Sequence, residues 1–345
     1  MKNRSAAFVT WTMTLLLLGL VSQRELTGHA RVQPEPARPP QASVDAPISV
    51  TTATLTLSGS LRLPTVAGRV PVALLIAGSG PTDRDGNSRM LPGSNNAYRL
   101  LAEALAARGI ASVRYDKRGI GTSVTAGMKE ADLRFDMYVD DAVAWIAKLR
   151  SDPRFSTITV IGHSEGSLIG MIAARQAKAD AFVSVAGVAK PAGQVLRDQL
   201  QKQIGSIDAL WQQNESILSS LEAGKPVDPL PSPLATVPGL ASLYRSSVQP
   251  YLISWFKYTP SAEVAKLAVP VLILQGTTDI QVSVAEAQAL KAAAPAATLV
   301  LIDGMNHVLK HVVDPAQQAA SYSNPALPIV PEVPDATTPF IRALK

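Results

Sequence analysis

The chain has 345 residues, of which 47% are apolar and 17% are charged, and it contains no cysteine. This length suffices for one large domain or two small ones, and the high apolar fraction excludes a disordered protein. The absence of cysteine excludes disulfide scaffolds, cysteine-ligated metal sites and cysteine nucleophiles. The net charge of +5 is scattered, and no basic stripe interleaved with aromatic residues indicates a nucleic-acid partner.

The first part of the chain has the pattern of a secretory leader. Lys2 and Arg4 precede a mostly apolar run from Ala6 to Val21, which is the order of regions in a signal peptide. We therefore predict a signal peptide over residues 1–30 and export to the periplasm or the exterior. The apolar run is slightly shorter than the ~20 residues of a spanning helix, and an uncleaved N-terminal membrane anchor is the alternative.

A proline-rich segment follows over residues 31–47. Its five prolines are incompatible with helices and with sheet hydrogen bonding, so an extended linker is expected. The folded domain is then expected to comprise residues 48–345. Polar and apolar residues alternate over Thr51–Leu57 and again around Leu61–Leu63, which predicts an antiparallel hairpin at its start.

Short apolar runs then alternate with segments of helical periodicity. The runs are continuous and rich in β-branched residues, as is typical of strands buried on both faces. These predicted strands are Val70–Ala77, Ala111–Tyr115, Ile158–Ile161, Ala181–Ala186, Val269–Leu274 and Ala297–Ile302. The predicted helices are Tyr98–Arg108, Phe135–Leu149, Ser167–Gln176 and Val284–Ala293. Strands that alternate with helices indicate an α/β fold with a mostly parallel sheet covered on both faces.

One long segment breaks this alternation. Between the strand that ends near Ala186 and the one that starts near Val269, apolar residues recur at helical spacing without any strand signal. We predict a helical cap insertion at about residues 190–262, which would cover the ends of the strands.

The sequence Gly162-His163-Ser164-Glu165-Gly166 is a G-x-S-x-G motif between a predicted strand and a predicted helix. A serine on such a tight turn adopts an unfavourable backbone conformation, and bulky neighbours two positions away would collide. Ser164 is thus expected at the carboxyl end of a strand as a nucleophile. The free N–H of Glu165, at the helix N-terminus, would face developing negative charge.

A serine nucleophile needs a base, and the chain has four histidines. His29 falls in the leader, and the side chain of His163 is expected to point away from the neighbouring hydroxyl. His307 follows the last predicted strand and is the preferred base, with His311 as the alternative. The pair spans H-V-L-K-H, which lacks the glutamate of H-E-x-x-H, so neither a metal nor another cofactor is expected.

The base in turn needs an acid that orients it. Asp279 lies just past the predicted strand that ends near Leu274, and the order Ser…Asp…His is typical of α/β-hydrolase triads. Asp303 is the alternative acid but is too close in sequence to His307. A merely structural role for Asp279, in a turn or as a helix cap, is the other interpretation.

A second oxyanion donor is expected in the glycine-containing loop after Val70–Ala77. Glycines allow the backbone to approach the tetrahedral oxygen, and Pro81 has no N–H to donate. The backbone N–H of Ser79 is therefore predicted as the donor, with that of Gly80 as the alternative.

Five segments together resemble the α/β-hydrolase superfamily, and within it a branch of bacterial serine esterases related to prolyl-oligopeptidase-like and serine-aminopeptidase hydrolases. These segments are G-S-G-P-T-D-R-D-G-N, R-Y-D-K-R-G-I-G-T-S, G-H-S-E-G, G-T-T-D and G-M-N-H. The resemblance implies an eight-stranded, mostly parallel sheet and ester hydrolysis through an acyl-enzyme. The family's triad falls on Ser164, Asp279 and His307, and its oxyanion loop falls on Gly78 to Pro81. Many relatives have His-Gly before the oxyanion residue, where this chain has Ala77-Gly78.

The hypothesis is a serine esterase that acts on a small-molecule ester with a short or medium acyl chain, because the expected roof is apolar. An exported aminopeptidase or acyl-peptidase with the same triad is one alternative, and Glu215, Glu222 and Asp228 could receive its substrate's amine. A non-catalytic binding module is another. Membrane contact is expected only if the leader is retained. The run Asp116–Ser123 and the turn Asp83–Gly86 are expected to be scaffold.

Overall fold

The computed structural model describes residues 44–344. The predicted leader and most of the predicted linker lie outside these residues. Among residues 44–344, no helix combines the length and the apolar character needed to cross a membrane.

Eight strands form a single sheet in the order β1-β2-β4-β3-β5-β6-β7-β8. The strands are β1 (Ala46–Thr51), β2 (Thr56–Arg62), β3 (Val70–Ile76), β4 (Ala111–Tyr115), β5 (Phe155–His163), β6 (Ala181–Val185), β7 (Val271–Gly276) and β8 (Thr298–Ile302). The first two pair antiparallel, β2 pairs antiparallel with β4, and all later neighbours pair parallel. The carboxyl ends of the parallel strands therefore meet at one edge, as expected for this fold class.

Helices cover both faces of the sheet. They are α1 (Ala97–Ala107), α2 (Phe135–Arg150), α3 (Glu165–Gln176), α4 (Ala192–Ile204), α5 (Asp208–Glu222), α6 (Pro238–Leu243), α7 (Gln249–Trp255), α8 (Pro260–Val264), α9 (Val284–Ala293), α10 (Gln318–Ser321) and α11 (Glu332–Arg342). One core contains residues of α2, α3 and α9 and extends into α4–α7. The second core contains residues of α1 and α11 on the opposite face.

The opening hairpin is present, but its turn lies where the first strand was predicted. The alternating segment Thr51–Leu57 spans the turn rather than a strand. Thr52 causes this, because its Oγ1 accepts hydrogen bonds from the N–H groups of Thr54 and Leu55 at 3.3 and 3.2 Å. Threonine side chains compete in this way with strand pairing.

The sheet begins at Ala46, two residues before the predicted start of the domain. Pro47 lies within β1, which is an edge strand and therefore tolerates a residue without an N–H. Asp45 is also fixed, by an ion pair of 2.7 Å with Arg62. At the opposite edge of the sheet, β8 was expected to be buried on both faces, but Leu301 is 43% exposed, and among residues 44–344 no strand pairs beyond β8.

The segment between β6 and β7 contains the five helices α4–α8, in the place of the predicted insertion. Aromatic side chains join it to the core that α2 covers. The ring of Trp255 in α7 stacks on that of Phe135 in α2, with 6.1 Å between centroids and 5° between planes. Phe135 and Trp255 are both buried, so this cap, residues 186–270, packs over one end of the sheet.

Candidate active site

Ser164 occupies the turn between β5 and α3 with φ 55° and ψ −122°. This backbone conformation is unfavourable for a residue with a side chain, and such strain persists only where the surroundings enforce it. A Cβ on Gly162 would lie 2.2 Å from the carbonyl oxygen of Gly166, and one on Gly166 would lie 2.3 Å from that of Ile76. Both glycines are therefore required by close backbone contacts. The N–H of Ser164 donates to the carbonyl of Val185 at 2.9 Å.

Asp279 follows β7 and lies 2.8 Å from Nδ1 of His307, measured from its Oδ2. Its Oδ1 accepts from the N–H groups of Gln281 and Val282 at 2.8 and 3.0 Å. Burial acts to raise the pKa of Asp279, but His307 and these two N–H groups outweigh it and hold the pKa below its usual value. The carboxylate is thus ionised and directed at the imidazole.

His307 lies in the loop after β8, and the buried Asn306 organises that loop. The Oδ1 of Asn306 accepts from the N–H groups of Val308 and Lys310 at 3.2 and 3.0 Å. Its Nδ2 donates to Ser321 Oγ at 2.7 Å. The backbone beside the imidazole is therefore fixed by side-chain hydrogen bonds as well as by the sheet.

Ser164 and His307 line the same cavity, which has a volume of about 40 Å³. Oxyanion-loop residues Gly78 and Ser79 line it too. Among residues 44–344, no hydrogen bond joins Ser164 Oγ to His307. Ser164 also lines a second cavity of about 10 Å³ beneath the cap, with Val195 and Trp255.

The side chain of His163, which was expected to point away from the Ser164 hydroxyl, places its ring 4.7 Å from that of His307 between centroids. Its Nε2 donates to the carbonyl of His307 at 2.8 Å, since a carbonyl can only accept. Its Nδ1 therefore accepts from the hydroxyl of Tyr98, also at 2.8 Å. Burial and the neighbouring His307 lower the pKa of His163 to about 3, so it is neutral.

The oxyanion loop follows β3, next to β5 in the sheet. The N–H of Gly78 donates to the hydroxyl of Tyr98 at 3.1 Å, so this group is not directed at Ser164. Ser79 is buried at the cavity, and Gly80 has a φ of 73°. Within the part of the chain that the structure describes, no acceptor is found for the backbone N–H of Ser79 or of Glu165.

The alternative residues lie elsewhere. Asp303 is exposed and accepts from Thr277 Oγ1 at 3.0 Å, while His311 is exposed and pairs through its backbone with Met305. His29 lies outside the described residues. Among residues 44–344, no group of three histidine or carboxylate side chains is arranged to hold a metal ion.

Tyr98, Asn306 and Lys117 contact the site but were not singled out in the sequence. Tyr98 is one of several buried residues on α1, and its hydroxyl gave no separate signal in the sequence. Lys117 lies in the run Asp116–Ser123, which was expected to be scaffold. Asn306 immediately precedes the predicted base His307 in G-M-N-H. This neighbouring position is the one feature of the sequence that could have indicated its role.

Comparison with known proteins finds similarity to hydrolases. A family model described as serine aminopeptidase, S33, matches residues 93–221. Esterase EstD of Thermotoga maritima is 28% identical over 227 residues, which cover 66% of this chain and 51% of EstD. The chain therefore spans about half the length of this curated relative.

Solved structures with the same fold include two esterases. Est1E from Butyrivibrio proteoclasticus has a TM-score of 0.55 at 17% identity and covers 86% of this chain and 97% of its own. An esterase from Pyrococcus furiosus also has a TM-score of 0.55 at 17% identity, with coverage of 92% and 99%. At this level of identity the likeness concerns the fold.

Proposed function

We propose that this chain, which has an α/β-hydrolase fold and is similar to a known esterase, is a serine hydrolase that cleaves carboxylic esters through an acyl-enzyme. The observation that carries this proposal is the 2.8 Å contact between Asp279 and His307, at a cavity that the strained Ser164 also lines. A pure binding module has no physical need for this combination of acid, base and strained serine.

In the proposed reaction, His307 Nε2 takes the proton of Ser164 as Oγ attacks the ester carbonyl. Asp279 holds the tautomer with the proton on Nδ1 and stabilises the imidazolium that forms. The N–H groups of Ser79 and Glu165 donate to the oxyanion. His307 then protonates the departing alkoxide, which leaves as the alcohol, and the same base activates water to hydrolyse the acyl-enzyme.

The direct test is hydrolysis of p-nitrophenyl acetate and butyrate by the purified chain and by Ser164→Ala. We expect the substitution to lower kcat on the order of 10⁶-fold, or to the spontaneous rate. Ser206→Ala, an exposed serine of the cap, is the matched control and should leave kcat unchanged. Equal rates for Ser164→Ala and the unaltered chain would refute the proposal.

We further propose a short acyl chain. The cavity of about 40 Å³ that His307 lines holds roughly three water molecules, and the cavity of about 10 Å³ beneath the cap holds about one. His307 must protonate the leaving group, so the oxygen of the alcohol belongs in the cavity that His307 lines. The acyl group then extends beneath the cap, where there is room for little more than a methyl group.

We propose that Val195 limits the length of the acyl chain, since its side chain lines the small cavity beneath the cap. We expect Val195→Ala to raise kcat/KM for butyrate relative to acetate by about 10-fold, from the ~1–3 kcal/mol that a methylene in a pocket is worth. Val237→Ala, a half-buried cap residue that lines neither cavity, should leave the ratio unchanged. An unaltered ratio in Val195→Ala would contradict this assignment of the acyl site.

The serine-aminopeptidase family model favours a second candidate, a peptidase with the same triad. Its substrate's amine would need a free carboxylate near the site. Arg197 pairs with Glu215 at 2.9 Å and with Glu222 at 2.6 Å, while Asp228 is exposed, and none of the three lines either cavity. We therefore expect esters to be cleaved faster than aminoacyl p-nitroanilides, and the reverse order would favour the peptidase.

We also propose export, on the basis of the basic and apolar regions within residues 1–30. Fractionation of cells that express a C-terminally tagged chain tests this proposal. A shortened chain in the periplasm or medium is the expected result, whereas a full-length chain in the membrane fraction would favour the anchor.

A further inference from the structure

The backbone of Gly78 is held at both of its polar groups. Its N–H donates to Tyr98, and its carbonyl accepts from Nζ of Lys117 at 2.5 Å. The carbonyl of Gly78 and the N–H of Ser79 belong to one planar peptide and point in opposite directions. Whatever fixes that carbonyl therefore also fixes the direction of the proposed oxyanion donor.

Lys117 is 3% exposed, and its ammonium group has three neighbours. Besides the Gly78 carbonyl, Nζ lies 3.1 Å from Glu165 Oε2 and 5.4 Å from the centroid of the Tyr138 ring. A buried ammonium is costly unless it is paired and hydrogen-bonded, and this one is both. Because it binds the Gly78 carbonyl, it lies on the side of the Gly78–Ser79 peptide opposite to the Ser79 N–H.

The partner of Lys117 belongs to the other half of the proposed oxyanion site. Glu165 contributes the second N–H through its backbone, while its side chain pairs with Lys117. The Oε1 of the same carboxylate accepts from the hydroxyl of Tyr251 in cap helix α7. Burial, and then Glu165, raise the pKa of Tyr251 well above its usual value, so the hydroxyl keeps its proton.

We propose that Lys117 is a positioning residue for ester hydrolysis, which aims and polarises the Ser79 N–H through the Gly78 carbonyl and ties it to the cap through Glu165. This inference rests on the proposed function. A hydrogen bond to the carbonyl of a peptide strengthens the N–H on its other side. The effect matters when charge develops on the substrate oxygen, and much less when the neutral ester binds.

The test is Lys117→Met, assayed with p-nitrophenyl acetate. We expect kcat to fall about 10- to 100-fold, below the ~10²–10³-fold cost of losing a whole donor, while KM changes less than about 3-fold. The inhibition constant of a methylboronic acid, whose tetrahedral adduct places an oxygen at the oxyanion site, should rise by the same factor as kcat falls. Inhibition by acetamide, whose neutral carbonyl resembles the ground state, should not change.

Arg118→Met is the matched control, because Arg118 is the next residue, is equally buried, and pairs with Asp141 at 2.6 Å without contact to the oxyanion loop. It should lower the melting temperature without lowering kcat at a temperature where it is folded. Lys117→Met with Glu165→Gln leaves no unpaired charge and keeps the test available should the single variant not fold. The double variant should show the same loss of kcat.

The outcomes separate the two proposals. If the unaltered chain hydrolyses the ester and Ser164→Ala does not, but Lys117→Met and the double variant keep kcat within 2-fold, the role of Lys117 is refuted and the esterase stands. A loss that appears in KM, or equally in Arg118→Met, would also refute it. An unaltered chain without esterase activity overturns both.

Discussion

The proposed site has two sides that are held by different kinds of contact. The base side consists of Asp279 and His307, and the oxyanion side consists of the Gly78–Ser79 peptide and Glu165. Asp279 and His307 contact each other directly, and backbone N–H groups within three residues hold the carboxylate. The Gly78–Ser79 peptide is held instead by Tyr98 and Lys117, which lie 20 and 39 positions further along the chain. Asp279 and His307 lie 28 positions apart and contact each other, whereas the Gly78–Ser79 peptide is held by side chains of α1 and of the loop after β4.

This difference has a consequence for substitutions. A substitution on the base side should lower the rate of hydrolysis while leaving the fold intact. The N–H groups of Gln281 and Val282, which hold Asp279, can also donate to an amide oxygen at that position. A change on the oxyanion side disturbs buried polar groups that also join α1, the loop after β4 and the cap. Substitutions of Asp279, Gly162 and His163 test this difference. The first should lower activity far more than the others lower stability.

Asp279→Asn should lower kcat about 10⁴-fold with little change in melting temperature. The amide Oδ1 can still accept from the N–H groups of Gln281 and Val282. The amide nitrogen, which replaces Oδ2, cannot accept the proton on Nδ1 of His307 and so no longer holds the productive tautomer. Steady-state kinetics and thermal unfolding measure the two effects. Asp303→Asn is the control, and a loss there with activity retained in Asp279→Asn would mean that the acid is misassigned.

Gly162→Ala should destabilise the folded chain by about 3 kcal/mol or more, because the new Cβ would lie 2.2 Å from the carbonyl of Gly166. Gly127→Ala provides the comparison. Gly127 has a φ of 82° but nothing within 4 Å of a Cβ, so backbone strain alone should cost about 1–2 kcal/mol. Denaturant unfolding measures both, and equal losses would show that close packing at the turn is unimportant.

His163 bridges the two sides, and its protonation should make the fold sensitive to acid. Its pKa is about 3 in the folded chain against 6.5 for an unperturbed histidine, so the unfolded state binds more protons between these values. Stability should therefore fall as the pH falls below about 6.5. Thermal unfolding from pH 7 to pH 5 should show a smaller decline in His163→Gln than in the unaltered chain. The exposed His311→Gln should decline as the unaltered chain does, and identical slopes in all three would contradict the prediction.

The same contrast explains what could be predicted from the sequence. Apolar runs and helical periodicity predict most of the parallel sheet, because buried strands and amphipathic helices leave regular patterns. They fail at Thr52, where a side chain forms the turn, and at β8, where exposure depends on its edge position. Neither fact is encoded in local periodicity.

At the site, short motifs indicate Ser164, Asp279 and His307 because each chemical role needs a particular residue type after a strand. Tyr98 and Lys117 carry no such signal. Their roles depend on where α1 and the loop after β4 pack against the oxyanion loop. The contact of His163 with His307 likewise depends on the direction of a ring within the folded chain.

In the proposed site, Ser164 is the nucleophile, and the N–H groups of Ser79 and Glu165 stabilise the oxyanion. A crystal structure of the chain after reaction with a fluorophosphonate tests both roles at once. We expect a covalent phosphonate on Ser164 Oγ, with one phosphoryl oxygen about 2.7–3.1 Å from the N–H nitrogens of Ser79 and Glu165. A reagent that fails to label Ser164, or an adduct whose oxygen faces away from both N–H groups, would contradict it.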